Sequence, residues 1–254
     1  MKKMYEKQLQ QFLDCYGQSM PDRTLEQKEM AFERLYTGGS HNTIDEIVSW
    51  FSEQQNKSTM SYEVIPLLEC NGWEFDKSGS LAHASGEFFR VEGIRVFNTQ
   101  QREVKGGWDQ PILTQVGYDG GILGLIRKRI DAVPHYLVEA KSEPGNYGIT
   151  QISTSLQATF SNIKQAHKGD KTAFSDLFME PENNGGTVVF KRWMSEDGGR
   201  LLNKRNLSMV VEVDSFDIET PARYHWVTLN QLIEINRTKD SIIAPHIRGI
   251  LSAL

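Results

Sequence analysis

The chain has 254 residues, 28 Lys and Arg against 33 Asp and Glu, a formal net charge of −5 and 39% hydrophobic residues. That hydrophobic content argues against a disordered chain, and a chain of this length buries enough surface to fold without disulfide or metal staples. Mild acidity with scattered basic residues argues against a nucleic-acid binder, and no apolar run is long enough to span a bilayer.

Residues 1–60 read as polar and helical. Leu9, Phe12, Leu13 and Tyr16 form one helical stripe, and Leu25, Met30, Phe32 and Leu35 a looser one. Thr43 is a good N-cap with Glu46 as its capping-box partner, opening a helix whose apolar side is Ile44, Ile47, Val48 and Phe51. This stretch is expected to be a helical N-terminal extension and a candidate dimer element, with residues 61–254 as the main module. The start Lys2-Lys3 is followed by Glu6, Gln8, Gln10 and Asp14 rather than by a signal-peptide core. Cys15 and Cys70 stand alone, without a CxxC spacing, which fits free thiols in a reducing cytoplasm.

The texture changes near Tyr62, where the apolar run 64–68 ends at the turn signal Asn71-Gly72. The β-prone runs 87–91 and 94–97, separated by Glu92-Gly93, predict a tight hairpin. Further strands are expected at 112–116, 121–126, 135–140, 187–190 and 209–213. Thr228 is placed to cap a helix carrying Leu229, Leu232, Ile233 and Ile235, and Pro245 to start a last amphipathic helix. Short strands and Gly-rich turns between helical ends predict an α/β (α+β) fold, a mixed sheet flanked by helices.

The common chemical motifs are absent. The sequence has no GxGxxG after a strand, no GxxxxGK[ST] and no GxSxG. Gly117, Gly120, Gly121 and Gly124 cluster without the Lys-Ser/Thr of a phosphate loop. The histidines are spread out with no metal-ligand spacing, so no metal site is expected. Arg127-Lys128-Arg129 reads either as an anionic-ligand site or, preferentially, as a solvated face.

What remains is a string of signatures. Glu92-Gly93-Ile94-Arg95-Val96 is followed by Arg102-Glu103-Val104 and by Trp108-Asp109-Gln110-Pro111-Ile112-Leu113. Gly121-Ile122-Leu123-Gly124, Glu139-Ala140-Lys141-Ser142-Glu143-Pro144-Gly145-Asn146, Gln157-Ala158-Thr159, Ser161-Asn162 and Lys204-Arg205-Asn206 continue it. Leu81, His83, Ser85, Gly86 and Phe88-Phe89 fit upstream. In this order and spacing the chain resembles the nucleotide-sugar 2,3-dehydratases. The resemblance implies a Nudix-like fold used without Nudix metal chemistry. In keeping with that, Arg102-Glu103 lacks the carboxylates of the metal-binding REx(2)EE run. It also implies a dTDP-4-keto-6-deoxyglucose-type substrate that loses its C2 hydroxyl to give a 3,4-diketo-2,6-dideoxy sugar nucleotide. Family members carry two such modules and this chain shows one copy, so a homodimer is expected to supply the second.

That reaction needs a base for the C3 hydrogen, donors for the enolate, an acid for the leaving hydroxyl and a diphosphate clamp, but no redox cofactor. Glu103 and Glu143 are candidate bases if burial raises their pKa. Lys141, on one strand face with Glu139, is placed to polarise the ketone, to meet phosphate, or merely to form an edge salt bridge. His83, ranked ahead of His135, is the candidate acid. Arg95 and Arg102 are candidates for the diphosphate, with Arg205 beside Lys204 adding to them. Trp108 is a candidate for stacking on thymine. Gln110 lies in the matched signature with these binding candidates. Asn146, Gln157, Thr159, Ser161 and Asn162 offer neutral groups to an enolate oxygen or sugar hydroxyls. The alternative function is a non-catalytic nucleotide-sugar-binding or scaffold module.

Overall fold

The computed structural model describes residues 2–115, 120–163, 171–214 and 220–254; Val116 and Gly117, used above, lie outside them. Three helices come first: α1 (Lys2–Tyr16), α2 (Leu25–Glu33) and α3 (Ile44–Lys57). The capping box of α3 forms as expected. Thr43 Oγ1 accepts from the Glu46 N–H at 3.2 Å, and the Glu46 carboxylate accepts from the Thr43 N–H at 2.7 Å.

Strands β1 (Trp73–Phe75), β2 (Leu81–His83), β3 (Phe89–Val96) and β4 (Trp108–Gln115) make a four-stranded antiparallel sheet in chain order. The tight hairpin expected at Glu92-Gly93 does not form. Both residues lie inside β3, Glu92 opposite Ile112 and Gly93 opposite Pro111, and neither has the positive φ that a two-residue hairpin loop requires. The chain reverses later, between Asn98 (φ 56°) and Gly107 (φ 80°). A Cβ on Gly107 would lie 2.3 Å from the Val96 carbonyl oxygen, so only glycine fits there. The apolar run 64–68 joins no strand, and Val64 (88%) and Leu68 (81%) are exposed.

The second sheet has seven strands: β5 (Gly121–Ile130), β6 (Val133–Ser142), β7 (Thr150–Thr154), β8 (Leu156–Thr159), β9 (Gly186–Ser195), β10 (Arg205–Val213) and β11 (Tyr224–Val227). It is mixed, since β10 runs parallel to β5 while the other pairs are antiparallel. β5 and β6 pair only from Ile130↔Val133 to Ile126↔Leu137 and then part. β7 takes up the rest of β6 and β8 the rest of β5, so the sheet opens into a fork. Ser155 closes its apex. Its Oγ donates to the Leu137 carbonyl at 2.5 Å and accepts from the Ile126 N–H at 2.9 Å, pairing backbone groups left over where the strands separate.

Helices flank this sheet. α3, α6 (Leu229–Thr238) and α7 (Pro245–Ala253) bury Ile47, Phe51, Leu232, Ile235, Ile247 and Ile250 against Leu123, Leu125 and Val138. The short α5 (Ser175–Met179) places Leu177 and Phe178 against Ile122 and Ile126 on the opposite face. Successive residues of β5 thus feed two cores, as the two-residue period of a strand dictates. Thr228 with Gln231, and Pro245 in the first turn of α7, begin the last two helices where the sequence places them.

The basic group 127–129 corrects the expectation of a solvated face. Arg127 is wholly buried, pairing with Glu29 (2.9 Å), Glu33 (2.6 Å) and Glu212, while Arg129 holds Glu29 (2.7 Å) and Glu212 (3.1 Å). Tyr5 donates to Glu29 and Tyr136 to Glu33, both at 2.8 Å. Burial opposes a charged Glu29, but the hydrogen bonds and charges of Arg129 and Arg127 outweigh it and lower its pKa to about 2. Burial pushes Glu33 up against the pull of Arg127. The network fastens α2 onto β5 and β10.

Candidate active site

At the open end of the fork, β6 runs out at Ser142 and the loop after it turns over the sheet. The Glu143 carbonyl accepts from the Asn146 N–H at 3.1 Å, and Asn146 Nδ2 donates to the Lys141 carbonyl at 3.1 Å. Across the fork, β8 carries Gln157 and Thr159, and α4 (Phe160–Ile163) carries Asn162. The C-terminal segment is tied to the same place. The Ile152 N–H donates to the Ile242 carbonyl at 2.8 Å and the Ala244 N–H to the Ile152 carbonyl at 2.9 Å. That pairing delivers His246, in the first turn of α7, to the fork.

Two adjoining clefts result. The larger, about 660 Å³, is lined by Glu143, Asn146, Gln157, Asn236, Lys239, Asp240, His246 and Arg248 among others. The smaller, about 290 Å³, is lined by Phe89, Glu143, Gln157, Thr159, Asn162, Glu196, Lys204, Asn206 and His246 among others. Glu143, Gln157 and His246 belong to both. Lys141 reaches this junction through its Nζ, 3.3 Å from the Gln157 carbonyl and 3.7 Å from the Glu143 carboxylate. The Gln157 side-chain oxygen accepts from Ser153 Oγ at 2.8 Å, which fixes the amide. Asn206 Nδ2 donates to Glu196 at 2.5 Å, and Lys204 bonds Gln115 while lying over the Phe89 ring.

His246 was not singled out by any motif. Burial lowers its pKa below the ordinary histidine value, against the pull of Glu196 and Glu143 and with the help of Lys141 and Lys204. A largely neutral imidazole between two carboxylates and two ammonium groups can take a proton and hold it. A larger hollow, about 1010 Å³, lies between α1 and the β5–β6 turn, lined by Tyr5, Leu9, Leu13, Glu29 and Arg129 among others. No histidine and none of the signature residues named above as site candidates line it, and Glu29 and Arg129 there are committed to the structural network.

The sequence-predicted residues divide into two groups. Lys141, Glu143, Asn146, Gln157, Thr159 and Asn162 come together at the fork. Ser161 is buried beside them, its Oγ 2.8 Å from Thr159 Oγ1. The others sit elsewhere. Arg95 holds Asp109 through two bonds of 2.8 and 2.9 Å on the open face of the small sheet. Arg102 pairs with Glu103 at 3.3 Å and lies 5.9 Å from the Trp108 ring. Glu103 is 86% exposed, and its own backbone N–H and Arg102 hold its carboxyl below the usual range. Trp108 starts β4, and its Nε1–H donates to Gln110 at 2.6 Å. His83 packs edge-on against Phe88 at 4.7 Å with Nδ1 2.7 Å from Ser85 Oγ. Arg205 lies over the Trp193 ring at 4.6 Å. His135 is buried, with Nδ1 2.8 Å from the Val133 carbonyl and Nε2 accepting from the His41 N–H at 3.2 Å.

Fold and cleft together define a mixed-sheet α/β protein with a polar groove suited to an anionic ligand and to proton transfer. Residues 44–254 match the family model described as NDP-hexose 2,3-dehydratase, and the chain belongs to that family. It is 36% identical over 206 residues to a protein of Saccharopolyspora spinosa named dTDP-4-dehydro-6-deoxy-alpha-D-glucopyranose 2,3-dehydratase, covering 81% of this chain and 41% of the relative. Relatives of the same name from Amycolatopsis orientalis (31% over 229 residues, 89% and 47% covered) and Streptomyces violaceoruber (35% over 207, 81% and 45%) are similar to it. The chain thus spans less than half the length of the curated relatives it matches. A solved structure of a Nudix hydrolase from M. Smegmatis, RenU, shares 12% identity at a TM-score of 0.33, over 55% of this chain and 91% of that one. The fold class rests on the topology described above.

Proposed function

We propose that the cleft at the fork is a nucleotide-sugar 2,3-dehydratase site acting on a dTDP-4-keto-6-deoxyglucose-type substrate. The observation that carries this reading is the convergence of His246 with Glu143, Gln157 and Asn162 around one junction, with Lys141 beside it. The C4 ketone acidifies the C3 hydrogen, and neutral His246 takes that proton. The enolate oxygen at C4 is held by Lys141 and by the amides of Gln157 and Asn162, the first two already fixed before the charge develops. The electron pair then returns to reform the ketone, a double bond forms between C2 and C3, and the C2 hydroxyl departs with the proton held on His246. The released enol tautomerises to the 3-ketone. Glu143 and Glu196 favour the imidazolium in between.

The exposed run 60–68, with Tyr62, Val64, Leu67 and Leu68 uncovered, supports a homodimer as the working form. Sedimentation velocity at micromolar concentration is expected to give a dimer; a monomer would remove this part of the reading. The two free thiols, Cys15 and Cys70, suit a cytoplasmic setting, and among the described residues no helix is long and apolar enough to cross a membrane. Incubation of purified protein with dTDP-4-keto-6-deoxyglucose is expected to convert it to a species lighter by one water. Binding without conversion would point instead to a scaffold module.

A further inference from the structure

The larger cleft carries two cations that no described residue engages. Lys239, just past the end of α6, and Arg248, in α7, line it, and the side chain of neither makes a hydrogen bond or ion pair with a described residue. Neighbouring arginines behave differently: Arg237 pairs with Glu234 at 2.7 Å, and Arg34 donates to the Leu251 carbonyl at 2.7 Å. Of the two carboxylates in the lining, Glu143 has Lys141 beside it at 3.7 Å, whereas Asp240 makes no bond or ion pair with a described residue. Asn146 and Asn236 also line the cleft. An open polar cleft of several hundred Å³ with two uncommitted cations at its rim is suited to a diphosphate, which each cation can meet by charge-assisted hydrogen bonds.

Resting on the dehydratase reading above, we infer that Lys239 and Arg248 form the diphosphate end of the site. A nucleoside-diphosphate sugar then lies along the groove, its phosphates on the α6–α7 wall and its sugar in the smaller cleft against His246, Glu196 and Asn206. The cations that clamp the substrate thereby come from the end of α6 and from α7. Asp240, repelling the phosphates, weakens binding.

Calorimetric titration of the full chain with dTDP at several salt concentrations tests this. Lys239→Ala and Arg248→Ala are each expected to weaken dTDP binding by about tenfold or more, the effect of losing one charged hydrogen bond. Each should also flatten the fall of affinity with salt, a readout that a merely structural defect would not move. Asp240→Asn is expected to tighten binding, and Arg237→Ala to leave it unchanged. Wild-type affinity and salt dependence in both Lys239→Ala and Arg248→Ala would overturn the inference while leaving the dehydratase reading standing. A wild-type chain that binds no dTDP would overturn both.

Discussion

His246→Gln is expected to lower turnover of the 4-keto sugar nucleotide by about 10²–10⁴-fold, the usual contribution of a positioned general base. The affinity for dTDP should hardly change, because glutamine keeps the polar lining of the cleft and the phosphates are held by Lys239 and Arg248 rather than by His246. The pH profile makes the prediction sharper. Burial lowers the His246 pKa, so the active neutral form persists below the ordinary value of about 6.5. The wild-type rate should fall only as the pH drops through that lowered value, and the residual rate of His246→Gln should lack this acid limb. Full turnover in the variant would take His246 out of the chemistry. Loss of turnover with an unchanged acid limb would assign the limb to another group.

Arg127→Ala is expected to destabilise the chain by about 3–5 kcal/mol, the cost of leaving buried carboxylates without their cation. For a chain of this size that is a fall in Tm of roughly 10 °C. The reason is geometric. The guanidinium is wholly buried and bonds three carboxylates from two distant parts of the chain, and without it Glu29, Glu33 and Glu212 crowd one site, with the half-exposed Arg129 pairing with Glu29 and Glu212 but not with Glu33. Glu29 adds a pH signature. Its pKa is lowered to about 2, so the stability it contributes is present above its ordinary value of about 4.5 and is lost as the pH falls toward 2. A change in denaturation free energy below about 1 kcal/mol would show that the network contributes little, as exposed ion pairs do.

Local signals were the legible part of this fold. The boxes at Thr43 and Thr228 and the proline at 245 are satisfied within four residues of themselves, so pattern and structure agree there. Apolar runs likewise marked β5, β6 and β10. The false hairpin at Glu92-Gly93 arose because a Gly between two β-prone runs looks the same whether the chain turns or continues. Only pairing with β4 decides it. Arg127 was illegible for a stronger reason: its partners lie 85 to 98 residues away, and a charge in a basic triplet resembles a solvated one until they arrive.

The candidate site divides in the same way. The residues of the fork from Lys141 to Asn162 lie in three signature strings within about two dozen residues of chain, so they could be named together. His246, Lys239 and Arg248 enter only because residues 242–244 pair with Ile152 of β7, a contact with no local mark in the sequence. The Arg95, Arg102, Glu103 and Trp108 signatures are equally clear as strings, yet on β3, β4 and the connection between them Arg95 pairs with Asp109, and Arg102 with Glu103 and the Trp108 ring.

On this reading the fork of the second sheet holds the substrate. A crystal structure of the chain with dTDP tests it most directly. The diphosphate is expected between Lys239 and Arg248, with its outer phosphate directed toward His246 and the smaller cleft. Nucleotide bound instead at the Arg95–Trp108 face of the small sheet, with the fork empty, would move the substrate site off the fork.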